Sequence, residues 1–167
     1  VSFAANDITL DCNGAVLNSA GNGGDGIAAY GSNGITIKNC VFQNFDMAFG
    51  VNNLQNTLID NNVITRSNAG GHGIENSFSM NGVNITNNNI TMGTGAAIAL
   101  YVSLNSGTGN IISNNILTAS TSGGSGLGIW GKGAVEENWI ISGNTFTGPE
   151  GGGFNNAMYL DNVSYCN

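Results

Sequence analysis

Residues 82–93 read GVNITNNNITMG, with three asparagines in a row between isoleucines. Asn is depleted in strands and weak in helices, whereas the Ile, Val and Thr around it are strand formers. A chain that needs both within a few positions turns a corner between two strands. The pattern recurs: GITIKNCVF occupies 34–42, NTLIDNNVI 56–64, GNIISNNIL 109–117 and NWIISGNTF 138–146. DITLDCNGAVL at 7–17 reads as an earlier copy, and NVSYCN at 162–167 as a truncated last one. The anchors Leu10, Ile37, Ile59, Ile85, Ile112, Ile141 and Tyr165 are separated by 27, 22, 26, 27, 29 and 24 residues. Repeats of this length mean a solenoid, propeller or array, and the uneven spacing puts insertions in loops.

A second apolar register accompanies the first, headed by Ile27, Ala48, Ile74, Ile98, Ile129 and Met158. Each repeat therefore holds at least two short strands and a bend. The 27 glycines supply corners, and the single proline, Pro149, leaves strand pairing almost unobstructed. No segment keeps a helical period over a dozen residues without glycine. The reading is an all-β fold: one parallel β-solenoid domain over 1–167, single-stranded and of six to seven coils, or part of a longer chain or polymer.

Stacked coils lie about 4.8 Å apart and superpose equivalent residues. Asn39, Asn61, Asn87 and Asn114 then share one column, and Asn62, Asn88, Asn115 and Asn144 the next. Asn tolerates the left-handed conformation of a bend, and its amide can donate to the amide of the next coil. The first column is expected to be a structural Asn ladder. Phe42, Ile64, Ile90, Leu117 and Phe146 form an inward column; Asp11, Lys38, Asp60, Thr86, Ser113 and Ser142 form an outward one.

Only 8% of residues are charged, the formal net charge is −7, and Lys38, Arg66 and Lys132 are the only strong cations. Nucleic acid and anionic membrane surfaces need clustered Lys and Arg, so neither is an expected partner. No apolar run reaches the length of a transmembrane helix. The 29 asparagines and abundant hydroxyls suit an extracellular or cell-surface location. Sequons at Asn84, Asn89 and Asn162 are compatible with glycosylation there.

The whole chain resembles right-handed parallel β-helix repeat proteins of the pectin-lyase-like superfamily; GGDGIAAYGSNGITIKNCVFQNF at 23–45 looks very like that repeat. The resemblance implies a right-handed coil and a choice among polysaccharide-active enzymes, accessory proteins and surface proteins. NGGDGI at 22–27, FDMAF at 45–49 and GGHGIEN at 70–76 are similar to polygalacturonase motifs. Asp25, Asp46 and His72 are expected in one column on consecutive coils. Glycoside hydrolysis needs two carboxyls about 5–9.5 Å apart, which stacked coils can supply. The resemblance would make Asp46 the general acid, Asp25 part of the base and His72 an orienting group. However, Met47 stands where that family pairs a second Asp, and no Arg-Ile-Lys clamp follows. Asp-Gly and His-Gly are also ordinary corner dipeptides. The balance is against an enzyme. No cofactor is expected; a calcium ion at Asp25, Asp46 and Glu75 is the alternative. With one histidine, a histidine-based metal site is not expected.

Cys12 and Cys40 sit one column apart on adjacent coils, close enough for a disulfide. Cys166 lies about five coils further on, roughly 24 Å away at the coil spacing. It is either a free thiol or pairs between molecules, meeting a cysteine of a chain stacked head-to-tail. An ice-binding solenoid would present a flat outward face of regular threonines; the column Thr9, Thr36, Leu58, Asn84, Ile111 and Ile140 is not such a ladder. Three functions follow. The first is an extracellular structural or adhesive subunit that stacks on itself into a surface fibre. The second is a polysaccharide-active enzyme of polygalacturonase type, or a fragment of one. The third is a glycan-binding module using Tyr30, Tyr101 and Trp130.

Overall fold

The structure, a computed structural model, describes residues 1–20, 23–66, 71–93, 98–103, 107–119, 126–132, 139–148 and 154–161. Its regular secondary structure is entirely β, and the strands pair in parallel, each with its counterpart in the next repeat. Three sheets run the length of the stack. The long sheet comprises Ser2–Phe3, Asp25–Tyr30, Met47–Asn52, His72–Asn76, Ile98–Ser103, Gly126–Lys132 and Phe154–Asp161. The second sheet comprises Thr9–Asp11, Thr36–Lys38, Leu58–Asp60, Asn84–Thr86, Ile111–Ser113 and Ile140–Ser142. The third comprises Val16–Asn18, Val41–Gln43, Val63–Thr65, Asn89–Met92, Ile116–Ala119 and Thr145–Thr147. A short pair, Leu54–Gln55 with Met80–Asn81, bridges the long and second sheets on two levels. The parallel solenoid expected from the repeats is the observed architecture.

Most strands of the second and third sheets have three residues. The middle one enters the core and its neighbours face out, as the period of two requires. Ile37, Ile59, Ile85 and Ile112 are buried from the second sheet. Phe42, Ile64, Ile90 and Leu117 are buried from the third, with Phe146 partly buried at the last level. The outward column from Asp11 to Ser142 forms in the expected register. Lys38 in it pairs with Asp11 at 3.3 Å. Hydrogen bonds from Asn39 and from the Asn13 N–H hold the exposed Asp11 carboxyl below its ordinary pKa, with Lys38 adding to them.

Two residues make the corner between the second and third sheets. The first of each pair is left-handed: Asn39, Asn61, Asn87 and Asn114 have φ of 56°, 52°, 55° and 57°. This supports the corner role read from the sequence, but the amides bond differently from expectation. Asn61 donates to Asn39 at 2.7 Å, whereas Asn39 donates to Asp11 at 2.9 Å and Asn87 to Asp60 at 2.7 Å. A charged acceptor makes the stronger bond, so aspartates on the wet side capture the amides. The continuous ladder is the inner column, where no carboxylate competes. The Asn62, Asn88 and Asn115 side chains are almost fully buried. The Asn88 Oδ1 accepts the Asn62 N–H and Nδ2, both at 3.0 Å, and Asn88 Nδ2 donates to the Ile59 carbonyl at 2.9 Å. Asn115 repeats this on Asn88 and Ile85, and Asn144 on Asn115 and Ile112.

At the corner after Lys38 the inner column holds Cys40, which is joined to Cys12 by a disulfide, with Cα atoms 4.8 Å apart. The expected bond thus replaces the amide clamp at the end of the ladder. Closing a loop of this size, 28 residues apart in sequence, contributes about 3.6 kcal/mol in the chain-entropy picture.

The long sheet corrects the second register. Ile27, Phe49, Ile74, Leu100, Ile129 and Met158 are the aligned residues, not Ala48 and Ile98. The cause is a column of small residues one position earlier, including Gly26, Ala48, Gly73, Ala99 and Gly128, where the backbone presses on the third sheet. A Cβ on Gly73 would lie 2.6 Å from the Ala99 carbonyl oxygen and 2.8 Å from Ile90.

Replacing Asn88 by Ala removes partners from the Asn62 N–H, the Asn62 amide and the Ile59 carbonyl at once. The expected cost is on the order of 3 kcal/mol, since each orphaned buried group costs roughly 1 kcal/mol or more. Asn61→Ala, on the wet side, should cost only about 1 kcal/mol for the left-handed backbone. Urea unfolding of both variants measures the difference.

Candidate functional site

The long sheet presents the densest set of reactive side chains on its outer face. After the buried Ile27, Phe49, Ile74 and Leu100, the next residues Ala28, Gly50, Glu75 and Tyr101 stand in register, followed by Trp130 and Tyr159. Asp25 leans over the next level, and Gly50 makes room for it: a Cβ there would sit 2.7 Å from the Asp25 Oδ2. The Tyr30 hydroxyl donates to that oxygen at 3.3 Å. Desolvation first, then the negative charges of Asp25 and Glu75, push the Tyr30 phenol above its ordinary value.

Glu75 is held from two sides. Its Oε1 accepts the Ser77 hydroxyl at 2.5 Å, and its Oε2 lies 3.4 Å from His72 Nε2. Ser77 is positioned in turn by its N–H, which donates to Asn52 Oδ1 at 3.1 Å. The His72 ring stacks on Tyr101 with centroids 5.1 Å apart and 22° between planes. Burial pushes the His72 pKa below its ordinary value; Glu75 opposes this and Arg66 adds to it. His72 Nδ1 is buried without a hydrogen-bond partner among the described residues, which fits an imidazole kept neutral. The hollow lined by Tyr30, Met47, Gly50, Asn52, Glu75 and Ser77 measures only about 50 Å³, far below a small-molecule pocket. The site is a surface, not a cleft.

The register departs from the sequence expectation for the polygalacturonase-like trio. Asp25 and His72 align with Met47, not with Asp46. Asp46 precedes the strand and turns to the corner. Its Oδ1 meets Arg66 Nη2 at 3.0 Å, its Oδ2 accepts the Gly24 N–H at 3.2 Å, and its carbonyl accepts both Arg66 Nη1 and the His72 N–H. Arg66 is nearly fully buried, so it needs that carboxylate beside it. Asp25 and His72 are therefore brought to one face, with Glu75 and without Asp46.

The calcium set Asp25, Asp46 and Glu75 is split by the same rotation, and the described residues contain no group of three His, Cys, Asp or Glu able to hold a metal ion. Of the proposed sugar-stacking aromatics, Tyr30 is exposed, Tyr101 is half-buried against His72, and Trp130 continues the Tyr101 register. Among the sequons, Asn84 and Asn89 face outward from the second and third sheets. Asn162 and Cys166 lie outside the described residues. Sequence reasoning did not find Ser77, Asn52 and Gly50 as parts of the site. The motif HGIENS carries the signal for Ser77, since residues 72, 75 and 77 bracket one corner of the strand.

The neutral His72 has a consequence for stability. The unfolded imidazole takes up a proton near its ordinary value of 6.5, and the folded one only at lower pH. Stability is thus fully present above 6.5 and falls as the pH is lowered from there towards the folded pKa. The expected result is a melting temperature that drops between pH 7 and pH 5, with a shallower drop in His72→Gln. Thermal melts across this range check it.

Residues 6–167 match the family model described as a right handed beta helix region. No curated protein and no solved structure matches the chain.

Proposed function

Since the chain belongs to the right-handed β-helix family over residues 6–167, we propose that it is an extracellular adhesive subunit that holds neutral glycans against the outer face of its long sheet. The observation that carries this reading is the ordered row of hydrogen-bonding and aromatic groups there: Tyr30 on Asp25, Ser77 on Glu75, and His72 on Tyr101. Rings offer flat apolar faces to sugar C–H groups, and fixed carboxylates accept hydroxyl protons. The rigid scaffold lowers the entropy lost on binding.

Charge selects the class of glycan. The face carries Asp25 and Glu75. Of the three cations, Lys38 is paired with Asp11 on another sheet, Arg66 is buried, and Lys132 ends a long-sheet strand in register with Asp161. A polyuronate would meet like charge, and the net charge of −7 adds to the repulsion. Neutral hexose and pentose polymers meet no such barrier. The disulfide suits an oxidising, extracellular compartment. Head-to-tail self-association into a fibre belongs to the same proposal and is read by sedimentation.

Calorimetric titration with neutral β-linked oligosaccharides tests the reading. Binding is expected, with Tyr101→Ala weakening it about tenfold, the effect of roughly 1.4 kcal/mol. Polygalacturonate should neither bind nor be cleaved. Absence of binding to every neutral oligomer, or reducing-sugar release from polygalacturonate that Asp46→Asn abolishes, would contradict it.

A further inference from the structure

The outer face of the third sheet has a different character. Its four levels from Val63 to Thr147 carry two outward columns. One is Val63, Asn89, Ile116 and Thr145; the other is Thr65, Thr91, Thr118 and Thr147. The residues between them, Ile64, Ile90, Leu117 and Phe146, face the core. The strands stack one-to-one with no register shift. Side chains therefore repeat about every 4.8 Å along the stack and about every 6.7 Å across it. Threonine is β-branched and stiff at χ1, so hydroxyls and methyls keep that spacing. The Thr118 and Thr147 hydroxyls bond to each other at 2.8 Å, tying one rung to the next.

No outward position of this sheet carries a charge or an aromatic ring. That leaves nothing to hold an anion, a nucleic acid or a single sugar chain. The hollow at the neighbouring corner, about 440 Å³ and lined by Asn39, Asn61, Val41 and Val63 among others, touches the array only at its Val63 edge. The face does offer a flat, neutral, rigid array, regular in two directions, of groups that hydrogen-bond water beside groups that order it. The matching partner is itself an uncharged two-dimensional lattice of hydrogen-bonding groups. We propose that this face binds the surface of ice. A glycan on Asn89 would stand in the middle of the array, so the proposal requires that amide to be bare.

The test is ice-affinity partition of the whole chain, expressed without glycosylation, against an inert protein of similar size. The fraction captured by a slowly growing ice crystal is the readout. The wild type and Thr36→Tyr, on the second sheet, should be enriched in the ice. Thr91→Tyr and Thr118→Tyr should fall to the level of the inert protein with unchanged melting temperatures. Should Thr118→Tyr unfold by losing its bond to Thr147, the exposed Thr65→Tyr places the same obstruction on the array. A wild type excluded from ice like the inert protein overturns the proposal, as does enrichment that survives Thr91→Tyr and Thr65→Tyr. Retention on microcrystalline cellulose or chitin, lost in these variants and without ice enrichment, overturns ice as the occupant. Glycan titration of Thr91→Tyr should match the wild type, which keeps this outcome separate from that of the long-sheet reading.

Discussion

The buried amide clamp between coils is the interaction on which the rest of this fold depends. Asn88 and Asn115 each use all four of their hydrogen-bonding positions. Asn115, for example, accepts the N–H and the amide of Asn88 and donates to the Ile85 carbonyl and to Asn144. A corner in a solenoid leaves backbone N–H and C=O groups pointing inward, away from water. The clamp satisfies them and fixes the vertical register, since a coil shifted by one residue would lose every rung. On the opposite corner Asn110 does the same for the Val83 N–H and the Met80 carbonyl. Where the inner column holds Cys40 instead of Asn, a covalent bond to Cys12 takes over.

With the register fixed, the two outer faces acquire different chemistry from their side chains alone. After its short first strand the long sheet has strands of five to eight residues, and a Gly–Ala column draws its backbone inward. It has room for Asp25 above Gly50 and for the His72–Tyr101 stack. The third sheet has short strands whose flanking positions repeat without interruption, so it becomes a regular array of threonine and aliphatic groups. Asp46, turned to the corner, serves the scaffold by neutralising the buried Arg66.

The second and third sheets were legible because their spacing is rigid. The core residue of one sheet precedes that of the next by five positions in Ile37–Phe42, Ile59–Ile64, Ile85–Ile90, Ile112–Leu117 and Ile141–Phe146. Two corner residues leave no freedom. The long sheet follows loops of uneven length, and its small-residue column reads as part of the apolar strand; hence Ala48 and Ile98 were misaligned and Asp46 was placed beside Asp25. Ladder bonding was assigned to the outer asparagines because sequence alone does not show that Asp11 and Asp60 compete for their amides. The threonine array was present in VIT, NIT, ILT and TFT. The column through Thr9 and Thr36 belongs to the neighbouring second sheet, where Leu58 and Asn84 interrupt it.

Native-state hydrogen exchange at the corners tests the clamp most directly. The amides of Cys40, Asn62 and Asn88 donate to buried asparagine oxygens, and that of Asn115 to the partly buried Asn144. Those of Asn39, Asn61 and Asn87 donate to carbonyls beside solvent. If the clamp holds the stack, the inner amides exchange only through global unfolding, with protection equal to the full stability of the fold, while the outer ones open locally and faster. Equal, low protection of both sets would mean that the coils are held by their apolar core without the ladder, and would contradict the account.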